Sequence, residues 1–303
     1  MPSNQTTSLQ RAAEAFYLDR EAQHLTPATL LWYRRYVGAL VDWMQAHDVT
    51  TAAGITLDLL RTYIVELQAK DLAPKTVHHH ASAAKVFCRF LADEGLLSDN
   101  PAQRLKRPKL SKQVLPALTQ EDVWALLDAC ECERDKALLL FMLDTGARCA
   151  ETVAVNVGDV DTKTGAVTIA KGKGQKGRVV FLGVRARKAL IRYLLNREDL
   201  RDDAPLWVSF NTGERLTTWG VNQALERIGG LADVHVHPHK LRRSCAIWSL
   251  RAGMDIARLA LLLGHSDLQT VRKYLAIVES DLADAHREHG AVDSILDKKG
   301  ARK

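Results

Sequence analysis

The sequence predicts a mainly α-helical protein of two domains, with one small antiparallel β-sheet in the second domain. Its 303 residues exceed the roughly 100–200 residues of a typical single domain. Apolar residues recur at helical spacing through most of the chain, and a proline-rich basic stretch interrupts this pattern. We therefore expect a helical domain at 8–97, a basic linker at 98–117 and a second domain at 118–303.

Two helix starts support the helical prediction for the first domain. Thr26 and Pro27 form a typical N-cap followed by proline at the first helical position. Pro74 begins another helix, whose apolar residues follow at intervals of three and four, and Gly95 is a typical C-terminal stop. The first domain is therefore expected to be entirely helical.

The segment between the domains is rich in proline and positive charge. Pro101, Pro108 and Pro116 each disfavour helix at the preceding residue, which predicts an extended linker. The stretch 104–112, with the sequence RLKRPKLSK, contains five basic residues and no acidic one. Taken alone, such a run is as typical of a solvated linker as of a binding surface.

The second domain begins with a helix that Thr119 caps. Three short β-rich runs follow, at Val157–Asp161, Ala166–Ala170 and Val179–Leu182, and the turn residues between them predict a small antiparallel sheet. Helical patterns then return. They cover Val221–Ile228, His239–Ala252, Ile256–Leu263 and Leu268–Leu275.

Composition narrows the class of protein. Five cysteines, an odd number without a framework spacing, indicate reduced and buried thiols rather than disulfides. No apolar run approaches the roughly 20 residues that span a bilayer, and a signal-peptide core is lacking, so we expect a soluble, cytoplasmic protein with no membrane partner. The 42 basic and 36 acidic residues give a net charge of +6, which suits a polyanionic partner without proving one.

Four short motifs follow one another along the second domain. They are TGARCAE at 145–151, KGKGQKGR at 171–178, HKLR at 239–242, and LGHSD at 263–267 with Tyr274 nine residues after the histidine. In this order they resemble the tyrosine recombinase (phage integrase) family, whose patterns are T-G-x-R-x-x-E, G-K-G-x-K-x-R, H-x-L-R and L-G-H-S. Each pattern alone arises often by chance, but the four in order are specific.

The resemblance implies a fold and a reaction. It implies a two-domain, C-shaped DNA clamp with an Xer-like layout: a SAM-like core-binding domain at 8–97, and a catalytic domain followed by a C-terminal tail within 118–303. It implies a site-specific DNA recombinase that cleaves and rejoins strands through a 3′-phosphotyrosyl intermediate and a Holliday junction. Because the phosphotyrosine keeps the energy of the broken bond, neither ATP, a metal nor another cofactor is expected.

The same resemblance implies the partners. They are double-stranded DNA with inverted half-sites, a homotetramer on two duplexes, and an accessory DNA-bending protein or partner recombinase. Integration, excision and resolution are alternative outcomes of the reaction, and the motifs do not choose between a chromosome, a phage and a transposon as the setting.

The residues of the motifs suit phosphoryl transfer. A planar guanidinium contacts two phosphate oxygens at once, so Arg148 and Arg242 are expected to stabilise the transition state. Tyr274 is the expected nucleophile; its phenol has an ordinary pKa near 10, so it needs a positive field or a base. Glu151 is expected to support Arg148.

Protons must also be moved, and here the alternatives stay open. His265 could donate to the phosphate, and His239 could accept the phenolic proton or only orient it. Lys173 is the preferred general acid for the leaving 5′-oxygen, because it aligns with the first lysine of the G-K-G pattern. Lys171 and Lys176 are its competitors.

Other polar residues are predicted to contact DNA rather than to bind metal. His78, His79 and His80 lie roughly 100° apart around a helix, so they cannot converge on one ion, and DNA contact or solvation is expected. A zinc site at His235, His237 and His239 is the weaker alternative to the H-x-L-R motif. The predicted DNA contacts are Lys75, His79, Lys85, Arg104, Lys106, Arg107, Lys176 and Arg178.

Two rival functions are consistent with parts of this pattern. A type IB topoisomerase uses a closely similar set of arginine, lysine, histidine and tyrosine residues, and would relax DNA as a monomer. A catalytically silent DNA-binding regulator could retain the fold, although the complete set of motifs argues against it.

Overall fold

Helices make up most of the regular structure in the computed structural model, which describes residues 7–109, 116–170, 177–264 and Tyr274. One two-stranded antiparallel sheet is the remaining regular element of these residues. The predicted class, mainly helical with a small sheet, is therefore confirmed. No helix in the described ranges is both long enough and apolar enough to cross a bilayer.

The chain divides into two compact units, Met1–Gln113 and Val114–Lys303. The described part of the first unit consists of helices joined by short connections, one of which contains a 3₁₀ turn at Ala52–Gly54. The helices are α1 (Leu9–Ala22), α2 (Pro27–Ala46), α3 (Leu57–Ala69) and α4 (Pro74–Asp93).

Local sequence signals explain where these helices begin and end. The Thr26 hydroxyl accepts the backbone N–H of Thr29 at 3.3 Å, and proline occupies the first position of both α2 and α4, as predicted. Helix α4 ends at Asp93, and Gly95 follows with a φ of +68°, a backbone conformation that favours glycine.

The core of the first unit includes one of the three consecutive histidines. His80 is buried, and its Nδ1 lies 2.7 Å from the hydroxyl of Tyr63, which is also buried. The expectation of DNA contact or solvation is therefore wrong for His80, because this face of α4 packs against α3 rather than facing solvent. Burial lowers the pKa of His80, with the charge of Arg35 as the next cause.

Part of the predicted extended linker is instead packed structure. Pro101–Arg104 forms a 3₁₀ turn, and Ala102 and Leu105 are buried in the core of the first unit. Proline is compatible with the first position of such a turn, and the Asn100 side chain caps it by accepting the N–H of Ala102 at 3.0 Å. Residues 110–115 of the linker lie outside the described residues.

The described part of the second unit consists of helices and the two-stranded sheet. The elements are α5 (Gln120–Asp128), α6 (Glu133–Thr145), α7 (Cys149–Ala154), β1 (Ala166–Ile169), β2 (Arg178–Phe181), α8 (Val184–Leu195), α9 (Thr218–Ala232), α10 (Pro238–Arg251) and α11 (Ile256–Leu263). Thr119 caps α5 as predicted, and α11 has the predicted bounds. Of the predicted helix at 268–275 only Tyr274 is described, and it is helical.

The sheet is smaller than predicted. Ala166 pairs with Phe181 and Ile169 with Arg178, but the predicted strand Val157–Asp161 is a 3₁₀ turn at Val157–Asp159. Its valines indicated a strand, yet the Asp159 carboxylate accepts the N–H of Asn156 at 2.8 Å and closes the turn locally. Val160 makes only an isolated bridge to Val167.

Helix α6 runs through the core of the second unit and contacts both α8 and α10. Its buried Phe141 lies edge to face with the fully buried Trp207, at 5.3 Å between ring centroids. This packing fixes the C-terminal end of α6, after which the first of the four motifs continues.

Candidate active site

Arg148 stands at the junction of α6 and α7. Helix α6 ends at Gly146, whose φ is +59°, and Arg148 occupies the N-cap position of α7. The Thr145 hydroxyl donates to the carbonyl of Phe141 and accepts the N–H of Ala147, which holds the intervening turn. The Arg148 side chain is 46% exposed, so solvent or a ligand can reach its guanidinium.

Glu151 is bonded on both oxygens. Oε2 accepts the backbone N–H of Arg148 at 2.8 Å and Nη2 of Arg178 at 2.7 Å, while Oε1 accepts Nη1 of each arginine, at 2.9 and 3.0 Å. Burial alone would raise the pKa of this carboxyl, but the side-chain bond from Arg178 and the backbone bond from Arg148 outweigh burial and lower the pKa to about 2. Glu151 is therefore ionised at neutral pH.

Arg178 begins β2, and its side chain points into the protein. Besides the two bonds to Glu151, its Nε donates to the carbonyl of Leu262 at 2.8 Å, and the side chain is 9% exposed. We predicted a DNA contact for this residue, and the structure corrects that prediction. Three donors of the guanidinium are used within the second unit because β2 places Arg178 beside both α7 and the end of α11.

Arg242 projects from α10 and is 3% exposed. Its Nη1 donates to the carbonyl of Gly146 at 2.5 Å, and Nη2 donates to the carbonyl of Leu263 at 2.7 Å. Burial, followed by the nearby positive charge of Arg148, lowers the pKa of Arg242 to about 10, so the group remains protonated at neutral pH. Arg148, Arg178 and Arg242 with Glu151 form what we call the arginine cluster, with two more positive charges than negative ones.

Tyr274 packs against the apolar surface of α10 and α11. It is 8% exposed and belongs to a buried cluster that includes Ile247 and Leu263. The carbonyl of that same Leu263 accepts Nη2 of Arg242 at 2.7 Å. The predicted nucleophile and the predicted phosphate-binding arginines thus lie in one region of the second unit.

The residue after Arg242 has a role that the sequence did not reveal. Arg243 donates through Nε and Nη2 to the carbonyl of Pro116, at 3.1 and 2.9 Å, and the Ser244 hydroxyl accepts the N–H of Leu118 at 2.8 Å. Together these bonds fix Pro116 and Leu118, at the start of the described part of the second unit, to α10. The one sequence signal for this anchoring is that Leu118 is apolar, and the structure shows that it is buried.

His239 lies in the first turn of α10 and is exposed. The alternative zinc site required a strand through the three alternating histidines. Instead, His237 caps α10, its Nδ1 accepting the N–H of Lys240 at 3.3 Å, and its ring lies 5.5 Å from that of His235. Within the described ranges no group of three histidine, cysteine or acidic residues could hold a metal ion.

Several predicted site residues cannot be placed. Lys171, Lys173 and Lys176 fall within 171–176, and His265 begins the stretch 265–273; both segments lie outside the described residues. The structure therefore brings together Arg148, Glu151, Arg242 and Tyr274 but leaves the predicted general acid and the second histidine as predictions.

The predicted DNA contacts of the first unit divide into two groups. Two of the side chains serve the unit's own packing: Lys85 donates to the carbonyls of Gln103 and Leu105, at 3.0 and 2.8 Å, and the His79 ring packs edge-on against Trp32 at 5.8 Å. These contacts do not exclude DNA binding by Lys85 or His79, which stays a prediction for both. The exposed members, which stay predictions, are Lys75, Arg104, Lys106 and Arg107.

Comparison with known proteins agrees with the geometry. Residues 116–280 match the phage integrase family, and residues 15–95 match the phage integrase N-terminal SAM-like domain. Tyrosine recombinase XerC of Oceanobacillus iheyensis is 30% identical over 288 residues, which cover 89% of this chain and 94% of the relative. Tyrosine recombinase XerA of Thermococcus kodakarensis is also 30% identical, over 285 residues that cover 92% and 95%.

A solved structure shares the fold. The chain resembles a lambda integrase tetramer bound to a Holliday junction with a TM-score of 0.74 and 15% identity, over 89% of this chain and 78% of that one. At this identity the likeness concerns the fold alone.

The four bonds to Glu151 generate a prediction about stability and pH. Glu151→Gln should lower the free energy of unfolding by on the order of 3 kcal/mol near neutral pH, because the depressed pKa measures how strongly the fold favours the carboxylate. That stabilisation is present above the ordinary carboxyl pKa of 4.5 and is lost as the pH falls towards about 2. Urea unfolding at a series of pH values measures it.

The matched control is Glu198→Gln, which removes an exposed carboxylate of the same unit. It should leave the free energy of unfolding nearly unchanged at every pH. The difference in free energy of unfolding between wild type and Glu151→Gln could instead stay constant down to about pH 3. The loss of stability would then come from packing and not from the charge of the carboxylate.

Proposed function

Because the chain belongs to the phage integrase family and is a tyrosine recombinase that acts in site-specific DNA recombination, we propose that Tyr274 is its nucleophile and that Arg148 and Arg242 of the arginine cluster hold the scissile phosphate. The observation that carries this proposal is the position of Tyr274 in the buried apolar cluster of α10 and α11, together with Leu263, whose carbonyl accepts Nη2 of Arg242. Arg242 in turn bonds the turn that leads to the exposed Arg148.

The proposed reaction is a pair of transesterifications. The Tyr274 oxygen attacks the phosphorus and forms a bond to it, the phosphorus stays bonded to the 3′-oxygen, and its bond to the 5′-oxygen breaks. The phenolic proton leaves the tyrosine, and the departing 5′-oxygen takes up a proton. In the second step a 5′-hydroxyl from the other duplex attacks the phosphotyrosine and releases the tyrosine. The number of phosphodiester bonds is conserved, so ATP is not needed.

The charges of the cluster fit this reaction. Charge builds on the non-bridging oxygens in the transition state, and preorganised donors in a partly buried site stabilise it. Glu151 neutralises one of the three guanidiniums and orients Arg148, which leaves a net positive site at the surface. For the proton transfers we propose Lys173 as general acid, with His265 donating to the phosphate and His239 accepting or orienting the phenolic proton.

The assembly and setting are also proposals. The lambda integrase structure with a similar fold is a tetramer on a Holliday junction, which supports four copies of this chain acting on two DNA duplexes with inverted half-sites. Accessory DNA-bending proteins or a partner recombinase, and a cytoplasmic location where DNA is accessible, remain part of the same proposal. Transfer of a strand to a second duplex distinguishes this function from relaxation by a type IB topoisomerase.

The first test concerns the nucleophile. Tyr274→Phe should abolish the covalent protein–DNA adduct on a nicked suicide substrate, because only the attacking oxygen is lost, while DNA affinity stays nearly unchanged. Tyr193→Phe, which alters another buried tyrosine of the same unit, is the control and should still form the adduct. An adduct in the Tyr274→Phe variant would mean that a different residue attacks the phosphate.

The second test concerns the exposed arginine of the cluster. Arg148→Ala should slow cleavage by roughly 10²-fold or more, the effect of losing one preorganised donor to the transition state. Because this side chain is 46% exposed, the thermal midpoint should change little. Arg192→Ala, at an exposed position on α8, should affect neither quantity. Unchanged cleavage per bound complex in Arg148→Ala would reduce this residue to a DNA-affinity contact.

The third test identifies the general acid. A 5′-bridging sulfur leaves as a thiolate without needing a proton, since ordinary thiol pKa values lie near 8.5. Lys173→Ala should therefore cleave ordinary DNA very slowly and recover on the sulfur substrate. Lys171→Ala and Lys176→Ala should show no selective recovery. Recovery in Lys176→Ala instead would move the acid to that residue, and recovery in none of the three would direct attention to His265.

A further inference from the structure

Arg178 lies where three parts of the second unit meet. It is the first residue of β2 and the last residue of the motif at 171–178 that contains Lys173. Two of its nitrogens bond Glu151, which in turn bonds Arg148, and the third bonds the carbonyl of Leu262 in the last turn of α11. His265, the other predicted site residue of this region, follows that turn in sequence.

The end of α11 explains why a cation is needed there. The last carbonyls of an α-helix have no partner within the helix and carry partial negative charge. In α11 two of them are taken by arginines of the cluster: Leu262 by Arg178, and Leu263 by Arg242. The helix end is therefore fixed by one arginine of the proposed phosphate site, Arg242, and by Arg178, which holds Glu151 beside that site.

Close packing makes this arrangement strict. Gly264 ends α11 with a φ of +63°, and a Cβ built on it would lie 2.8 Å from Nη1 and 3.1 Å from Cζ of Arg178. The guanidinium thus rests against the glycine backbone, with no space for a side chain between them. The planar guanidinium makes these three bonds from three different nitrogens. A lysine carries all its N–H donors on one nitrogen, so it cannot reach both carboxylate oxygens and the Leu262 carbonyl in the same way.

We propose that Arg178 is a positioning residue for cleavage, which holds the Glu151–Arg148 pair and the C-terminal end of α11 in one fixed arrangement. The proposal rests on the proposed function. Arg178 acts through Glu151 and through the Leu262 carbonyl, and it does not touch DNA. Its loss should therefore lower the rate of the chemical step without lowering DNA affinity.

The experiment measures cleavage of a suicide substrate by the full chain at saturating DNA, for Arg178→Lys and Arg178→Gln. Both variants should cleave about 10²-fold more slowly per bound complex, the scale of a misplaced catalytic group. The apparent dissociation constant and its dependence on salt should match those of wild type. Arg187→Gln is the control, because Arg187 also donates to a backbone carbonyl, that of Lys163, but lies outside the cluster.

A double-mutant cycle separates positioning from general destabilisation. If Arg178 acts through Glu151, then Arg178→Gln should reduce cleavage much less in a Glu151→Gln background than in wild type. Urea midpoints of the same four proteins should show the same lack of additivity, and this readout does not require activity. All rates are taken at a temperature at which every variant is folded.

Three outcomes would overturn the proposal. A salt dependence reduced by about one phosphate contact in Arg178→Gln would make the residue a DNA contact. Recovery of the Arg178→Lys rate on the 5′-sulfur substrate would mean that it serves the general acid. Additive effects in the cycle would mean that it acts independently of Glu151. Failure of wild type to form an adduct would refute the proposed function, while the urea midpoints would still decide whether Arg178 holds Glu151.

Discussion

The second unit depends on a buried positive charge that two helix ends share. The guanidinium of Arg242 bonds the carbonyl of Gly146 after α6 and the carbonyl of Leu263 at the end of α11. Removing a cation from water costs several kcal/mol, and partial negative charge at both helix ends offsets this cost. Because each helix ends in a glycine with positive φ, its backbone can turn away immediately and leave that carbonyl to the arginine.

This arrangement sets the geometry of everything around it. Arg148 follows Gly146 by two residues, so its position depends on how α6 ends. Tyr274 packs on α11 and on α10, the helix that carries Arg242. The adjacent Arg243 points to a different part of the unit and bonds Pro116. Successive residues on a helix lie about 100° apart, so α10 can serve the site with one arginine and the start of the unit with the next.

The sequence predicted what is local or specific in pattern. Caps at Thr26 and Thr119 and the bounds of α11 depend on neighbouring residues, and the four motifs in order indicated the family. Two of the predictions that were wrong, those for Arg178 and His80, concern contacts distant in sequence. Nothing near Arg178 in the chain reveals that Glu151, 27 residues away, binds its guanidinium. The sequence likewise does not show that His80, alone of the three consecutive histidines, bonds the hydroxyl of Tyr63.

The glycine at position 146 carries a consequence for engineering the protein. A Cβ there would lie 2.7 Å from the side chain of Leu263 and 3.1 Å from the sulfur of Cys245, in addition to the cost of its positive φ. Laboratory evolution that aims at new DNA targets therefore has almost no freedom at this position, although it borders the exposed Arg148. Substitutions are better introduced at positions away from the contact between Gly146, Leu263 and Cys245. The solvent-facing side of α9, where the exposed Trp219 lies, is one such surface.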